Sequence, residues 1–295
     1  MHPAVKRALH WGGSTLAIAG IVFVALRLRD YSAEISFARL ELAEWAAVGG
    51  LALIYGLSNL MLALAWWNLL GQFGARTTRR WAVRAYGISQ IAKYVPGNIF
   101  HLAGRQAMGM AAGVAARALA QSALWELGLL ALAGALFGFL AAPLLWSTLP
   151  VLASAGAFGA MTVGAVIVLR GLLSRAVSTA LIWQIIFLIV SGALFIGILT
   201  IVAPAAIAVS IFPALCGAYV IAWLVGLVTP GAPAGVGVRE LVLLYLLTGI
   251  IGEADLLLAV ILGRVVTALG DAGFFALTLL IGNKRATLLA PLKIR

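Results

Sequence analysis

The sequence predicts an all-α polytopic membrane protein, with about six full transmembrane helices and two re-entrant or broken helical hairpins in an inverted-repeat arrangement. Three observations lead there. Apolar residues make up 64% of the chain and charged residues only 10%, with a mean hydropathy of +1.11, a balance that no water-soluble core can hide. Apolar stretches of about 20 residues recur along nearly the whole length, enough to cross about 30 Å of hydrocarbon at 1.5 Å per residue. Finally, two of the apolar stretches contain Pro-Gly and start and finish on one side of the membrane when the charges are sorted.

The sorting uses basic residues, which collect in cytoplasmic loops. Lys6 and Arg7, then Arg76, Arg79, Arg80 and Arg84, then Arg170 and Arg175, and finally Lys284, Arg285, Lys293 and Arg295 form the basic clusters. They predict a cell (inner, cytoplasmic) membrane protein with both termini cytoplasmic. The loops around Pro143 to Pro150 and around Pro204 carry no charge, and Glu253 with Asp255 make another acidic. Asp30, Glu34, Glu41 and Glu44 outweigh Arg27, Arg29 and Arg39 in the first, so these loops belong outside.

Full spans are expected at about 9–27, 46–70, 118–141, 151–169, 178–201 and 256–282. The first has a signal-like shape without a convincing cleavage site and reads as an uncleaved span. Residues 30–45 alternate apolar and acidic side chains, as either a short surface helix or a solvated loop does. With no polar linker or low-complexity tract, the chain reads as a single membrane domain, 1–295.

The two remaining stretches, about 82–115 and 209–251, are expected to dip in and turn back. Proline ends a helix and glycine permits reversal, and the breaks are Pro96-Gly97 and Pro230-Gly231, the second reinforced by Pro233. Aligned, KYVPGNIFHLAGR (93–105) and LVTPGAPAGVGVR (227–239) each place an arginine nine residues after the proline. One hairpin would enter from inside and the other from outside, as in inverted-repeat transporters.

Irregular backbone at membrane depth is tolerated only where protein buries it or where it lines a watery cavity. The breaks therefore predict a cavity. New helices are expected to start near Asn98 and Val236, with free amides that attract anions such as phosphate. Arg105 and Arg239, two turns further on, lean back toward those starts and would flank one site. A charge at mid-membrane costs about 2.5–3.5 kcal/mol on the insertion scale, so Arg105, Glu126, Arg239, Glu240, Arg264 and Asp271 require an aqueous or ion-paired setting.

Each has a structural reading beside the functional one. Arg105 either holds a ligand or pairs with Glu126, and Arg239 either holds a ligand or pairs with Glu240 or another acid. Arg264 and Asp271, seven apart on one helix face, either serve the site or satisfy each other through water or neighbours. Lys93 and Tyr94 either meet a headgroup or anchor the chain at the interface. His101 either binds phosphate or makes an ordinary hydrogen bond. Tryptophans such as Trp45, Trp66, Trp67 and Trp81 read as aromatic belts, and the single cysteine, Cys216, as packing. No catalytic motif, metal set or cofactor-binding signature is present. The net charge of +11 sits at span ends, where anionic lipid and not nucleic acid is the counter-charge.

The segments AKYVPGNIFHLAGR (92–105) and TPGAPAGVGVRE (229–240), with Glu126 between them and Arg264 in the last span, resemble the transmembrane region of the lysylphosphatidylglycerol synthase/flippase family. The resemblance covers most of the chain at the level of topology. It implies a stand-alone flippase-type domain without the soluble aminoacyl-transferase, moving an anionic phospholipid or a polyprenyl-phosphate-linked glycan. Substrate contacts would come from Lys93, Tyr94, Pro96, Gly97, Asn98, His101, Arg105, Glu126, Pro230, Gly231, Arg239, Glu240 and Arg264. A separate glycosyltransferase and a homo-oligomer are possible partners. The alternatives are a membrane-embedded enzyme using Glu126 or His101 as general base, and a non-transporting anchor for a transferase.

Overall fold

The structure, a computed structural model, describes residue 29 and residues 40–94, 100–204, 207–229 and 235–281. The expected first span at 9–27, the four break residues Pro96, Gly97, Pro230 and Gly231, and Asn98 lie outside the described residues. Ten helices follow one another, with no strand among the described residues: α1 (Leu42–Gln72), α2 (Arg79–Gln90), α3 (Phe100–Ala111), α4 (Ala116–Leu136), α5 (Gly138–Leu145), α6 (Val151–Leu172), α7 (Arg175–Val202), α8 (Phe212–Val228), α9 (Val238–Leu247) and α10 (Glu253–Leu280). Short 3-10 turns, Ile91–Tyr94 and Val209–Ile211, follow α2 and precede α8.

Six helical segments are long and apolar enough to cross a membrane: Leu42–Gln72, Ala116–Leu145, Val151–Leu172, Arg175–Val202, Val209–Val228 and Glu253–Leu280. The protein is a multi-pass membrane protein. Five of these segments contain or closely match the expected spans at 46–70, 118–141, 151–169, 178–201 and 256–282. The sixth falls within the expected hairpin at 209–251, whose first arm is a 20-residue apolar helix with mean hydropathy 2.2, long enough to cross. Its second arm, α9, has 10 residues, about 15 Å of helix, half a bilayer core. In the stretch 82–115 both arms are short, α2 and α3 having 12 residues each.

Helix starts are set by local chemistry. Thr78 accepts a hydrogen bond from the Trp81 amide (3.3 Å) at the start of α2, and Ser174 does so from Val177 (3.2 Å) at α7, satisfying amides that a helix start leaves open. Ser174 Oγ also donates to Gln72 Oε1 (2.6 Å). That bond holds the start of α7 against the end of α1, so the basic loops carrying Arg76 and Arg175 lie at one end of the bundle.

In lipid, helix association depends on close packing, because the tails are as apolar as leucine. Helices α1, α7 and α10 form the centre. Where α1 crosses α10, a Cβ on Gly56 would lie 2.7 Å from the Gly270 carbonyl oxygen, so only glycine permits that backbone approach. Asn59, one turn on from Gly56, and Asp271, next to Gly270, are thereby brought face to face. Helix α6 is peripheral, only 6% of its most apolar window being buried within the protein. Cys216 is a buried free thiol on α8 packed against Gly192 of α7, as its packing role requires.

Candidate functional site

Between the two broken segments lies a cleft of about 840 Å³ of atom-free space, counted out through its open mouth. The first broken segment contributes Lys93, Tyr94, His101 and Arg105 to its wall, and the second contributes Arg239; Glu126 of α4 and Arg264 of α10 complete the charged lining. Both arginines placed nine residues after a proline thus reach one cavity. Apolar lining comes from residues such as Leu62, Phe187 and Trp223.

Arg105 is fully engaged. Its Nη1 lies 2.9 Å from both carboxylate oxygens of Glu126, and Tyr86 donates its hydroxyl to Glu126 Oε1 (3.2 Å). The guanidinium is stacked 4.3 Å from the Tyr86 ring and 5.2 Å from that of Trp66. It is 2% exposed. Behind it, Trp66 donates Nε1–H to Ser122 (3.1 Å), and Gln184 of α7 donates to the Glu126 carbonyl (3.1 Å). Trp66 is wholly buried, which corrects its reading as an interfacial belt residue: its indole packs against the buried guanidinium. Trp67 does keep an edge position, half-buried under Arg79 at 4.6 Å.

Arg239 differs. Its Cζ lies 4.3 Å from the Tyr219 ring of α8, and no carboxylate or hydrogen-bond acceptor meets it among the described residues. It is nevertheless 7% exposed. The neighbouring Glu240 is used elsewhere: its Oε2 accepts from the Gly237 amide (2.8 Å), and its Oε1 accepts from Arg264 Nε (2.6 Å). Adjacent residues on a helix point in different directions, so Glu240 faces away from the cleft while Arg239 faces it. The expected Arg239–Glu240 bridge is therefore absent. The second helix start is also not an open anion seat, since Glu240 already caps it. Helix α9 starts at Val238 after Gly237, whose φ of +84° is readily adopted only by glycine.

Arg264 and Asp271 do not satisfy each other as a pair; two turns apart on one helix, each meets a nearer partner on another. Asp271, at 0% exposure, forms an ion pair with Lys93 Nζ (2.5 Å). It also accepts from the Tyr94 hydroxyl (2.6 Å) and Asn59 Nδ2 (3.2 Å). Asn59 Oδ1 in turn accepts from Gln90 Nε2 (3.0 Å). This network pins the end of the 3-10 turn to Asn59 of α1 and Asp271 of α10, so Lys93 and Tyr94 are tied into the helix bundle. The Nζ of Lys93 still reaches the cleft, with 18% of its side chain exposed. His101 also faces the cleft, and its buried Nδ1 has no hydrogen-bond partner among the described residues.

Several residues that build the site were not selected from the sequence: Asn59, Gln90, Tyr86 and Tyr219. For Asn59 and Gln90 a signal existed, since an amide side chain inside or beside an apolar span requires a partner within the bundle. Tyr219 carried none, because the aromatic face that receives Arg239 is set by the packing of α8 on α9.

A buried, charged, open cleft of this kind can hold a polar group while apolar parts of the same molecule stay in lipid. No group of His, Cys, Asp and Glu suited to a metal occurs among the described residues. Compared with known proteins, the chain matches no protein-family model and no curated protein sequence.

Proposed function

We propose that the protein is a lipid translocase of the cytoplasmic membrane, with cytoplasmic termini, that passes the headgroup of an anionic phospholipid or polyprenyl-phosphate-linked lipid through the central cleft. The observation that carries this is Arg239: a guanidinium nine-tenths buried, facing an open polar cleft inside an apolar bundle, and matched by no acid among the described residues. An unmatched buried charge is costly and marks a ligand pathway by default. Lys93 and His101 flank it, and acyl chains would remain in the bilayer. The resemblance of segments 92–105 and 229–240 to flippase-type transmembrane regions agrees with this reading.

Arg105 enters the proposal differently from Arg239. It holds the cleft's far wall together with Glu126 and does not grip the headgroup. The same engagement removes Glu126 as a general base, which weakens the enzyme reading. The shared basic end of the loops at Arg76 and Arg175 supports the orientation.

The test is reconstitution in liposomes with headgroup-labelled anionic lipid, scored by the label's accessibility from outside. The wild-type protein should equilibrate the label between leaflets, and Arg239→Gln should abolish that. Undiminished transfer by Arg239→Gln removes the arginine from the mechanism, and no transfer by the wild type favours the anchor reading.

A further inference from the structure

Four cations line the cleft, Lys93, Arg105, Arg239 and Arg264. Three buried carboxylates face those cations from α4, α9 and α10: Glu126 on Arg105, Glu240 on Arg264 and Asp271 on Lys93. Among the described residues one positive charge is left over, on Arg239. The chain breaks cannot supply a fourth acid, because residues 95–99, 205–206 and 230–234 contain no charged residue. Of the nine acidic residues, Glu41, Glu44, Glu253 and Asp255 lie in the first turns or caps of α1 and α10, away from the cleft, and Asp30 and Glu34 lie outside the described residues.

We infer that the site is matched to a single negative charge: a phosphodiester headgroup with one phosphate, in preference to a phosphomonoester, a pyrophosphate or a zwitterion. In a bundle of low polarity each uncompensated charge costs several kcal/mol even after relaxation. A phosphodiester monoanion brings the buried sum to zero. A dianion overshoots by one, and a choline headgroup brings its own cation and leaves Arg239 unmatched. This deepens the translocase reading and rests on it for the site, but the charge count stands or falls by binding alone.

Calorimetric titration of the purified full chain in detergent at pH 8 separates the cases, because a phosphomonoester, with a second pKa near 6, is then close to dianionic. The probes are dihexanoyl phosphatidylglycerol, phosphatidic acid and phosphatidylcholine, with dimethyl phosphate as the same diester without acyl chains. Phosphatidylglycerol should bind at least about tenfold tighter than the other two lipids, and Arg239→Gln should erase its advantage over phosphatidylcholine. Glu240→Gln keeps an acceptor for Arg264 while leaving two cations unmatched, so phosphatidic acid should overtake. If that variant does not fold, Asp271→Asn makes the same change in charge beside Lys93. Tighter binding of phosphatidic acid to the wild type, or no reversal in a folded variant, overturns the charge rule, and dimethyl phosphate binding as tightly as the lipid overturns the lipid source. Selective binding without transport in liposomes would sink the translocase reading while supporting the charge rule; transport that favours the dianion would do the reverse.

Discussion

The two broken segments deliver the same residue to the same cleft and treat it in opposite ways. In the first, Arg105 is bound to Glu126, stacked between Tyr86 and Trp66, and held by arms that are both too short to cross a bilayer. In the second, Arg239 rests on Tyr219 with no acid beside it among the described residues, at the root of a short helix packed on one long enough to span. The difference teaches that a repeated sequence placement fixes where a charge arrives, while the acid supplied by a third helix decides whether it is a strut or a contact. Among the described residues Glu126 has no counterpart opposite Arg239.

Removing that acid should have the largest effect. Glu126→Ala leaves a 2% exposed guanidinium without its counter-ion, and breaking a buried pair in this way costs about 3–5 kcal/mol. Denaturant unfolding in mild detergent should show the loss. The double substitution Arg105→Met with Glu126→Leu should recover most of it, because removing both partners leaves no buried charge. Failure of the double variant to recover would mean that Arg105 is more than a strut, and the contrast between the segments would collapse.

Glycines offer a smaller perturbation. In the second segment Gly235 has a φ of +69°, and a Cβ there would lie 2.9 Å from Gly226 Cα, so Gly235→Ala should cost about 1–3 kcal/mol through overpacking and backbone strain. In the first, Gly104 sits inside α3 with its nearest neighbour for a Cβ 3.7 Å away at Ser89. Gly104→Ala should be neutral or stabilise by up to about 1 kcal/mol through helix propensity. Thermal unfolding of the pair, side by side, reads whether α8 and α9 are truly the tighter contact.

Asp271→Asn addresses the network beside the first segment. Asparagine can still accept from Tyr94, but it no longer balances Lys93, whose side chain already reaches the cleft. A cost of about 1–3 kcal/mol is expected, together with faster modification of Lys93 by a water-soluble amine reagent, followed by mass spectrometry of its peptide. Unchanged labelling would show that the ion pair does not restrain the lysine.

Much of this was legible in the sequence. Apolar length located α1, α4 with α5, α6, α7 and α10, and the spacing from each proline to its arginine placed both guanidinium groups on one cavity. What sequence distance could not give was partnership. Glu240 adjoins Arg239 yet binds Arg264, 24 positions away, because consecutive helical residues diverge by about 100°. Asp271 shares a helix with Arg264 yet binds Lys93, because the Gly56–Gly270 crossing brings the network of α1 and the 3-10 turn to it. Likewise nothing in the apolar run 209–228 told a spanning helix from a hairpin arm; helix continuity through Pro213, at the tolerated first turn, settled its length.

The smallest effect on stability should come from the residue with the largest effect on function. Arg239→Gln forfeits the cation–π contact with Tyr219, about 0.5–2 kcal/mol. It also removes a nine-tenths-buried charge with no acidic partner among the described residues, whose cost on the insertion scale is about 2.5–3.5 kcal/mol. The two terms oppose each other, and the unpaired buried amide of glutamine takes back about 1–3 kcal/mol more, so unfolding of the variant should lie within about 2 kcal/mol of wild type. The same denaturant titration used for Glu126→Ala measures it. A loss as large as that of Glu126→Ala would mean that Arg239 is a strut like Arg105, and the cleft would then have no charge to spare for a ligand.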